Sequence, residues 1–327
     1  MPRQARLDAP GTLHHVILRG MERGQIVTDR EDGAMFLARL GAVALATGTT
    51  LYAWALLPNH AHLLLRSGAQ GLPRFMRRVL TGDALTYNRR HQRVGHLFQN
   101  RYQSIVVEEA PYFRELVRYL HLNSLRAKLV RDLAELDRYP WCGHAGIQGR
   151  QHPPWQDRAA VLSGFGRTER AALRAYRAFL RAGIPPGRRP ELVGGGRVRS
   201  LGGWAAVRAI RQRAARVVTD ERILGRGPFV ARMLAAGEAR QQTQQARGHR
   251  LRQAQALLRQ RCRRAQVGLE ELRMGSRRRR IAAVRARLAV DLVTRLGLSL
   301  AETARQLGVS TSGIAKALAR AERPYVH

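Results

Sequence analysis

Two apolar segments separated only by Pro58-Asn59 constrain the fold of this chain more than any other feature of its sequence. Residues 50–57 and 60–65 have the composition of β-strands. Because proline interrupts a strand, the pattern predicts two strands joined as a hairpin. Residues 13–18 predict an earlier strand, and the apolar spacing of residues 32–46 predicts a helix between them.

The segments that follow complete an alternating order. Residues 73–90 predict a basic helix, residues 104–107 a short strand, and residues 111–122 a helix with proline in its first turn. The order βαββαβα predicts an α+β fold in which helices cover one side of an antiparallel sheet.

Charge divides the chain into two parts. The 327 residues carry a net charge of +35, and their 45% hydrophobic content is too high for a basic disordered tail. Residues 1–150 hold 21 basic and 12 acidic residues, whereas residues 151–327 hold 37 and 11. We expect one domain at 1–150, a helical segment and Gly/Pro/Arg-rich linker at 151–205, and a helical domain at 206–327. The excess of basic over acidic residues predicts a polyanionic partner. Codon bias alone is enough to explain the preference for arginine over lysine.

Other patterns bear on the compartment. Two cysteines make no disulfide framework, and the first residues lack the apolar core of a signal peptide. The uncharged run at 41–58 is interrupted by Thr47-Gly48-Thr49-Thr50, which predicts a helix end, a turn and a strand. We therefore expect a cytoplasmic, nucleoid-associated protein with no membrane partner.

Two short patterns carry chemistry. His60 and His62 stand two apart in a strand, so both imidazoles face one side and are suited to bind a divalent metal. Tyr119 and Asn123 stand four apart on a predicted helix, where the asparagine oxygen can act as a third ligand. Such a ligand set suits Mg²⁺ or Mn²⁺, and Tyr119 would then be a nucleophile beside the metal. Taken singly, each pattern is more often a packing feature.

Basic residues near these patterns are candidates for contact with phosphate groups. They are Arg74, Arg77 and Arg78 on the predicted helix, together with Arg101. The alternative is a solvated helix face. Glu115 is either a general base for Tyr119 or a solvated carboxylate.

Four sequence blocks resemble, in the same order, those of the single-tyrosine HUH transposases, and the REP-associated tyrosine transposases in particular. They are Pro58-Asn-His-Ala-His-Leu-Leu64 (PNHxHLL), residues 95–104 (the second block), Tyr119-Leu-His-Leu-Asn-Ser-Leu-Arg126 (YIHxNPxR) and Tyr139-Pro-Trp-Cys142 (YPWS). Ser124 and Cys142 stand where the family usually has proline and often has serine.

The resemblance implies a ferredoxin-like fold and a metal-dependent enzyme. By analogy, His60, His62 and Asn123 bind the metal, and Tyr119 is the nucleophile. The implied substrate is single-stranded DNA with an adjacent hairpin, cut to leave a 5′-phosphotyrosine and a free 3′-hydroxyl. A later attack by a 3′-hydroxyl rejoins the strand, so no ATP is required.

The C-terminal residues have the pattern of a helix-turn-helix at about 299–321. Ser299 and Glu302 form a capping-box pattern, Gly308 marks a turn, and Ser310 precedes a second helix. Residues from Ser276 onward resemble the DNA-binding domain of the replication initiator DnaA. By that resemblance Thr311, Ser312 and Lys316 face the major groove of duplex DNA, with Arg320 nearer the backbone.

Three functions remain open from the sequence. The first is a transposase with an added duplex-binding module, and the second is a domesticated DNA-binding regulator of palindromic elements with a vestigial nuclease site. The third is a replication or mobilisation HUH nuclease, but the extra histidines, or the second tyrosine with a nearby lysine, typical of that class are not found. The sequence does not decide between a monomer and a homodimer.

Overall fold

The computed structural model describes residues 7–99, 102–185, 192 and 220–321. The chain divides into two compact units, Met1–Gly237 and Glu238–His327. The predicted boundary at residues 205/206 lies outside the described residues. Each unit is described separately below.

The N-terminal unit alternates strands and helices in the predicted order. Its elements are β1 (Leu13–Arg19), α1 (Arg30–Thr47), β2 (Thr50–Leu57), β3 (His60–Arg66), α2 (Leu72–Arg90), β4 (Gln103–Val107), α3 (Glu109–His121), α4 (Asn123–Arg126), α5 (Leu133–Leu136), α6 (His144–Ile147), α7 (Arg158–Ser163), α8 (Glu169–Ala182) and β5 (Ile223–Leu224). The predicted helices and strands agree with the observed ones to within one or two residues at each end. The short helices α4, α5 and α6 and the strand β5 were not predicted, whereas α7 and α8 lie in the segment at 151–205 that was expected to be partly helical.

The five strands form one sheet in the order β2-β3-β1-β4-β5. Strands β1 to β4 pair antiparallel, which is the ferredoxin-like arrangement that the family resemblance implies. The short β5 adds in parallel to β4, where Ile223 packs with Leu7, Val106 and Val230. This apolar cluster places Ile223 and Val230 in the N-terminal unit, whereas the sequence pattern assigned residues from 206 onward to the C-terminal domain.

Helices cover both faces of the sheet, so the expectation of helices on one side was wrong. Helices α1 and α2 pack through Phe36, Leu40 and Phe75 against one face. Helix α3 packs through Leu116 and Leu120 against the other face, together with the helices that follow it. Apolar periodicity identifies the buried side of a helix but not the sheet face that receives it.

Local signals explain the ends of α1. The side chain of Asp29 accepts a hydrogen bond from the Asp32 amide and caps the first turn. Gly48 ends the helix with φ of +62°, a conformation that favours glycine. Strand β2 begins two residues later, so the run at 41–58 is a helix end, a turn and a strand, as predicted. None of the helices in the described ranges combines the length and apolar character needed to span a bilayer.

The C-terminal unit is helical. The long helix α9 (Gly227–Arg264) contains the division between the units, and α10 (Leu269–Arg273), α11 (Arg279–Val290), a π-helical turn (Asp291–Arg295), α12 (Leu300–Leu307) and α13 (Thr311–Ala321) follow. Its core brings together Leu258, Leu272, Leu288, Leu307 and Ile314 from five of these helices.

Candidate active site

Strand register places three histidines and one arginine on the sheet face that α3 covers. Strands β1 and β3 are antiparallel, with Arg19 opposite His60. Side chains alternate along a strand, so His15 and Arg19 of β1 face the same side as His60 and His62 of β3. Leu64 continues this face and packs in the same core as α3.

The rings of these histidines form a cluster with Tyr119. The centroid of His62 lies 5.2 Å from that of His60 and 6.0 Å from that of Tyr119, which is oriented edge-on. The centroid of His15 lies 5.2 Å from that of His62 in a stacked arrangement. The structure therefore brings together three of the four residues that the sequence selects for the chemistry.

Hydrogen bonds hold one ring nitrogen of His60 and one of His62, which together form the histidine pair. Nδ1 of His60 lies 2.6 Å from the side-chain oxygen of Asn59, whose amide nitrogen donates to the Arg23 carbonyl at 3.4 Å. Nδ1 of His62 lies 3.0 Å from Nε2 of His15. The asparagine that precedes the histidine pair thus has a direct structural role.

The surroundings keep the imidazoles neutral. Burial, and secondarily the charge of Arg19, lowers the pKa of His60 from 6.5 to about 4. Burial also holds the pKa of His62 well below its usual value, with smaller contributions from His15, His60 and Arg19. A metal binds only the neutral form of histidine, so these shifts favour metal binding at neutral pH.

Asn123 is separated from Tyr119 by a break in the helix. Helix α3 ends at His121, and Asn123 begins the four-residue helix α4, whereas the sequence predicts both side chains on one continuous face. Asn123 is 8% exposed, and its Nδ2 has no hydrogen-bond partner among the described residues. The unpartnered nitrogen is a hydrogen-bond donor and does not bind a cation, whereas two neutral imidazoles and the asparagine side-chain oxygen are ligand types that fit a divalent ion. The role of Asn123 as a third ligand beside His60 and His62 stays a prediction.

Arg126 contacts the candidate nucleophile directly. Its guanidinium carbon lies 5.3 Å from the centre of the Tyr119 ring, and its Nη1 donates to the Tyr119 carbonyl at 3.2 Å. A cation over an aromatic ring is stabilising, so Arg126 helps to hold Tyr119 half-buried at the end of α3. Glu115, the candidate base, forms an ion pair with Arg118 at 2.6 Å.

A buried polar network supports the end of α3. Nδ1 of His121 and Nδ1 of His144 both contact the Tyr176 hydroxyl, at 2.7 and 2.8 Å. Nε2 of His144 contacts Asp137 at 2.8 Å. Cys142 donates a weak hydrogen bond to the His121 carbonyl, and burial raises the pKa of its thiol to about 12, so it is unreactive.

The predicted basic residues do not surround the histidines. Arg74, Arg77 and Arg78 are exposed on α2, which packs on the opposite face of the sheet. The apolar side of α2 requires this, since it is buried against α1 and leaves the arginines in solvent. Arg101 lies outside the described residues.

A second cluster of potential metal ligands lies at the junction of α1 and α2. One ligand atom each from Asp29, Asp32 and His91 lie within 4.8 Å of one another. Arg90 already forms ion pairs there with Asp29, Glu31 and Asp32, at 2.6 to 2.7 Å. Because a guanidinium supplies the positive charge, we interpret this cluster as an ion-pair network that joins the two helices.

In the C-terminal unit, α12 and α13 are joined by the turn that the sequence predicts. The Ser299 hydroxyl accepts from the Glu302 amide at 3.2 Å, but the Glu302 carboxylate contacts Arg247, Arg305 and Gln306, so only the first half of the capping box is seen. Gly308 ends α12 with φ of +67°. The residues predicted to face DNA are all exposed: Thr311, Ser312, Lys316 and Arg320.

Sequence reasoning missed His15 and Arg19. His15 lies in the predicted strand at residues 13–18, and Arg19 is the residue directly after it. Each stands two residues from Ile17, so both lie on the same face of β1. Their position beside His60 and His62 depends on the pairing of β1 with β3, which the sequence pattern leaves open.

Comparisons with known proteins bear on this site. Residues 11–123 match the sequence model of a family described as "Transposase IS200 like". A search of the curated proteins finds no match. Among solved structures, the chain is similar to a REP-associated tyrosine transposase bound to a REP hairpin. The identity is 16%, the match covers 46% of this chain and 87% of that chain, and the TM-score is 0.39.

A second solved structure is a protein described as a transposase from Deinococcus radiodurans R1. Its identity to this chain is 21%, the match covers 36% of this chain and 92% of that chain, and the TM-score is 0.27. The family match spans β1 to α3, including the histidine cluster and Tyr119, and it ends at Asn123. The similarity to the IS200-like transposases therefore lies in residues 11–123, the part of the chain that holds the candidate site.

Proposed function

We propose that the N-terminal unit nicks and rejoins single-stranded DNA at hairpin-bearing ends through a covalent 5′-phosphotyrosine intermediate on Tyr119. The observation that carries the proposal is that the centre of the Tyr119 ring lies 6.0 Å from that of His62. Both residues lie in the segment that matches the transposase family model. A phenol is a weak nucleophile at neutral pH, so a reactive tyrosine requires a group that stabilises the developing charge.

The chemical step exchanges one phosphate ester for another. The Tyr119 oxygen forms a bond to phosphorus while the bond from phosphorus to the 3′-oxygen breaks. The phenolic proton passes to solvent, and the departing 3′-oxygen takes up a proton to become a hydroxyl. Attack by a 3′-hydroxyl on the phosphotyrosine reverses the exchange and releases Tyr119, so the strand is resealed without ATP.

The histidine pair supports a metal-assisted form of this reaction. His60 and His62, with Asn123 as the third ligand, are the residues that would hold Mg²⁺ or Mn²⁺. Such an ion would neutralise negative charge on the phosphate oxygens during the exchange. Neutral imidazoles, an amide oxygen and water are suitable ligands for such an ion.

Arg19 is the group we assign to the scissile phosphate. It is exposed at the end of β1, opposite His60 and on the same sheet face. Its positive charge contributes to the lowered pKa of both His60 and His62. A guanidinium binds phosphate oxygens through two parallel hydrogen bonds. We expect it to orient the phosphate beside the Tyr119 hydroxyl.

The C-terminal unit is proposed to bind duplex DNA next to the cleavage site. Helix α13 is preceded by a tight turn and exposes Thr311, Ser312, Lys316 and Arg320. This is the position of a recognition helix in a helix-turn-helix, and the strong positive charge of residues 151–327 favours contact with phosphates.

The test is formation of a covalent protein–DNA adduct. The full chain is incubated with labelled single-stranded DNA carrying a hairpin, with Mn²⁺, and the products are separated on a denaturing gel. We expect an adduct with wild type and with Tyr112→Phe, a control on the same helix, and none with Tyr119→Phe. An adduct with Tyr119→Phe would show that another residue is the nucleophile. If wild type binds the DNA but forms no adduct, the domesticated regulator is favoured.

A further inference from the structure

His15 connects the histidine pair to a distant part of the chain. It is 0% exposed, and its Nε2 lies 3.0 Å from Nδ1 of His62. Its other nitrogen, Nδ1, lies 3.2 Å from the main-chain oxygen of Leu192, a residue 177 positions away in sequence. Leu192 is itself buried and packs in the core that contains α3.

The Leu192 carbonyl, at one end of this chain of contacts, determines which ring nitrogens donate hydrogen bonds. A carbonyl oxygen only accepts hydrogen bonds, so Nδ1 of His15 carries a hydrogen and donates it to Leu192. Complete burial between a carbonyl and an imidazole disfavours a charged ring, so His15 holds this single hydrogen. Its Nε2 therefore accepts, and Nδ1 of His62 donates to it.

We propose that His15 and the Leu192 carbonyl fix His62 as the Nδ1–H tautomer, so that the lone pair of its Nε2 is the one available to a metal. His15 is thus a positioning residue that acts through His62. The inference rests on the proposed function, because it concerns the nitrogen with which His62 would bind the ion.

The neighbouring ligand is arranged in the same way. The Asn59 side-chain oxygen accepts from Nδ1 of His60, and the Asn59 nitrogen donates to the Arg23 carbonyl, which fixes the amide orientation. Both histidines of the pair therefore donate from Nδ1 and have Nε2 free of a hydrogen. Partners of this kind orient metal ligands, and their loss lowers metal affinity about 10- to 100-fold.

A segment with the sequence of a linker takes part in this arrangement. Leu192 lies within residues 151–205, which the composition assigns to a helical segment and a Gly/Pro/Arg-rich connection. The Leu192 carbonyl is the acceptor that sets the tautomer of His15, so Leu192 belongs to the support of the site.

The direct test is the tautomer of His62 in the metal-free full chain. Nitrogen-15 NMR of the imidazoles distinguishes Nδ1–H from Nε2–H without any metal or DNA. We expect His62 and His60 as Nδ1–H in wild type, and loss of that preference at His62 alone in His15→Phe. An Nε2–H form of His62 in wild type would overturn the proposal.

Mn²⁺ binding, measured by titration of the full chain, provides a second readout. We expect affinity to fall about 10- to 100-fold in His15→Phe and to be largely retained in His15→Gln, which keeps an acceptor. The matched control is His14→Phe, since His14 is equally buried but faces the other side of the sheet. His15→Phe with wild-type tautomer and affinity would overturn the proposal.

The two proposals fail in different ways. Absence of Mn²⁺ binding by wild type would contradict the metal site of the proposed function. The tautomers of the metal-free protein would still decide whether His15 sets the hydrogen on His62. Tryptophan fluorescence of each variant shows whether it is folded, and the wild-type spectrum decides the question even if His15→Phe does not fold.

Discussion

Replacing Asp83 with asparagine is expected to stabilise the N-terminal unit, and to do so more at high pH than at low pH. Asp83 lies on α2 and is 5% exposed, and its Oδ2 has no hydrogen-bond partner among the described residues. Burial raises the pKa of its carboxyl from 3.8 to about 7, opposed by the charge of Arg39 and assisted by that of Asp32.

The magnitude follows from this shift. The folded state holds the proton to a higher pH than the unfolded state, so the stability linked to Asp83 is complete below about pH 4 and is lost as the pH rises to 7. A pKa raised by about 3 lowers the free energy of unfolding by about 4 kcal/mol at pH 8, relative to pH values below 4. At pH 5 about 1.5 kcal/mol of this is already lost. Asparagine does not titrate. The difference in free energy of unfolding between Asp83→Asn and wild type should therefore increase by about 2–3 kcal/mol from pH 5 to pH 8.

Urea unfolding followed by tryptophan fluorescence measures this difference. All four tryptophans of the chain lie within residues 1–237, so the signal reports the N-terminal unit. Glu22→Gln is the control, because it removes one carboxylate from an exposed position. A difference between Asp83→Asn and wild type that is the same at pH 5 and pH 8 would refute the reasoning.

Three further predictions concern the site and the C-terminal turn. Arg19→Gln should lower DNA cleavage at least 10-fold, with partial recovery in Arg19→Lys and no loss in Arg74→Gln, as measured by initial rates; equal effects of Arg19→Gln and Arg74→Gln would contradict the assignment. Gly308→Ala should lower the melting temperature of the C-terminal unit, because its φ is +67° and a Cβ would overlap the Arg273 carbonyl. Gly313→Ala, inside α13, should be neutral or stabilising by up to about 1 kcal/mol, and circular dichroism melts of both variants test the contrast. Chelation with EDTA should abolish adduct formation, and excess Mn²⁺ should restore it while tryptophan fluorescence stays unchanged; adduct formation in EDTA would exclude a required metal.

The sequence predicted most elements of the N-terminal unit because their signals are local. Strand β2 has its predicted bounds, and Pro58-Asn59 gives the hairpin to β3. The side of the sheet on which α3 packs is a tertiary choice that helix periodicity does not contain. For this reason the expectation of helices on one side failed while the element order was right.

The candidate site was predicted where its residues are close in sequence. His60 and His62 share a face by strand alternation alone. His15 and Arg19 join them only through the register of β1 against β3, and Leu192 through a contact across 177 positions. The position of α2 on the opposite face likewise separates Arg74, Arg77 and Arg78 from the histidines, although they are near in sequence.

Mass spectrometry of the covalent adduct tests the central claim most directly. Trypsin cleaves after Arg118 and Arg126, so peptide 119–126 contains Tyr119 as its only tyrosine. The account predicts that this peptide carries the DNA fragment through its 5′-phosphate, and that the other product ends in a free 3′-hydroxyl. DNA attached to any other peptide, or cleavage that leaves the phosphate on the 3′ end, would contradict it.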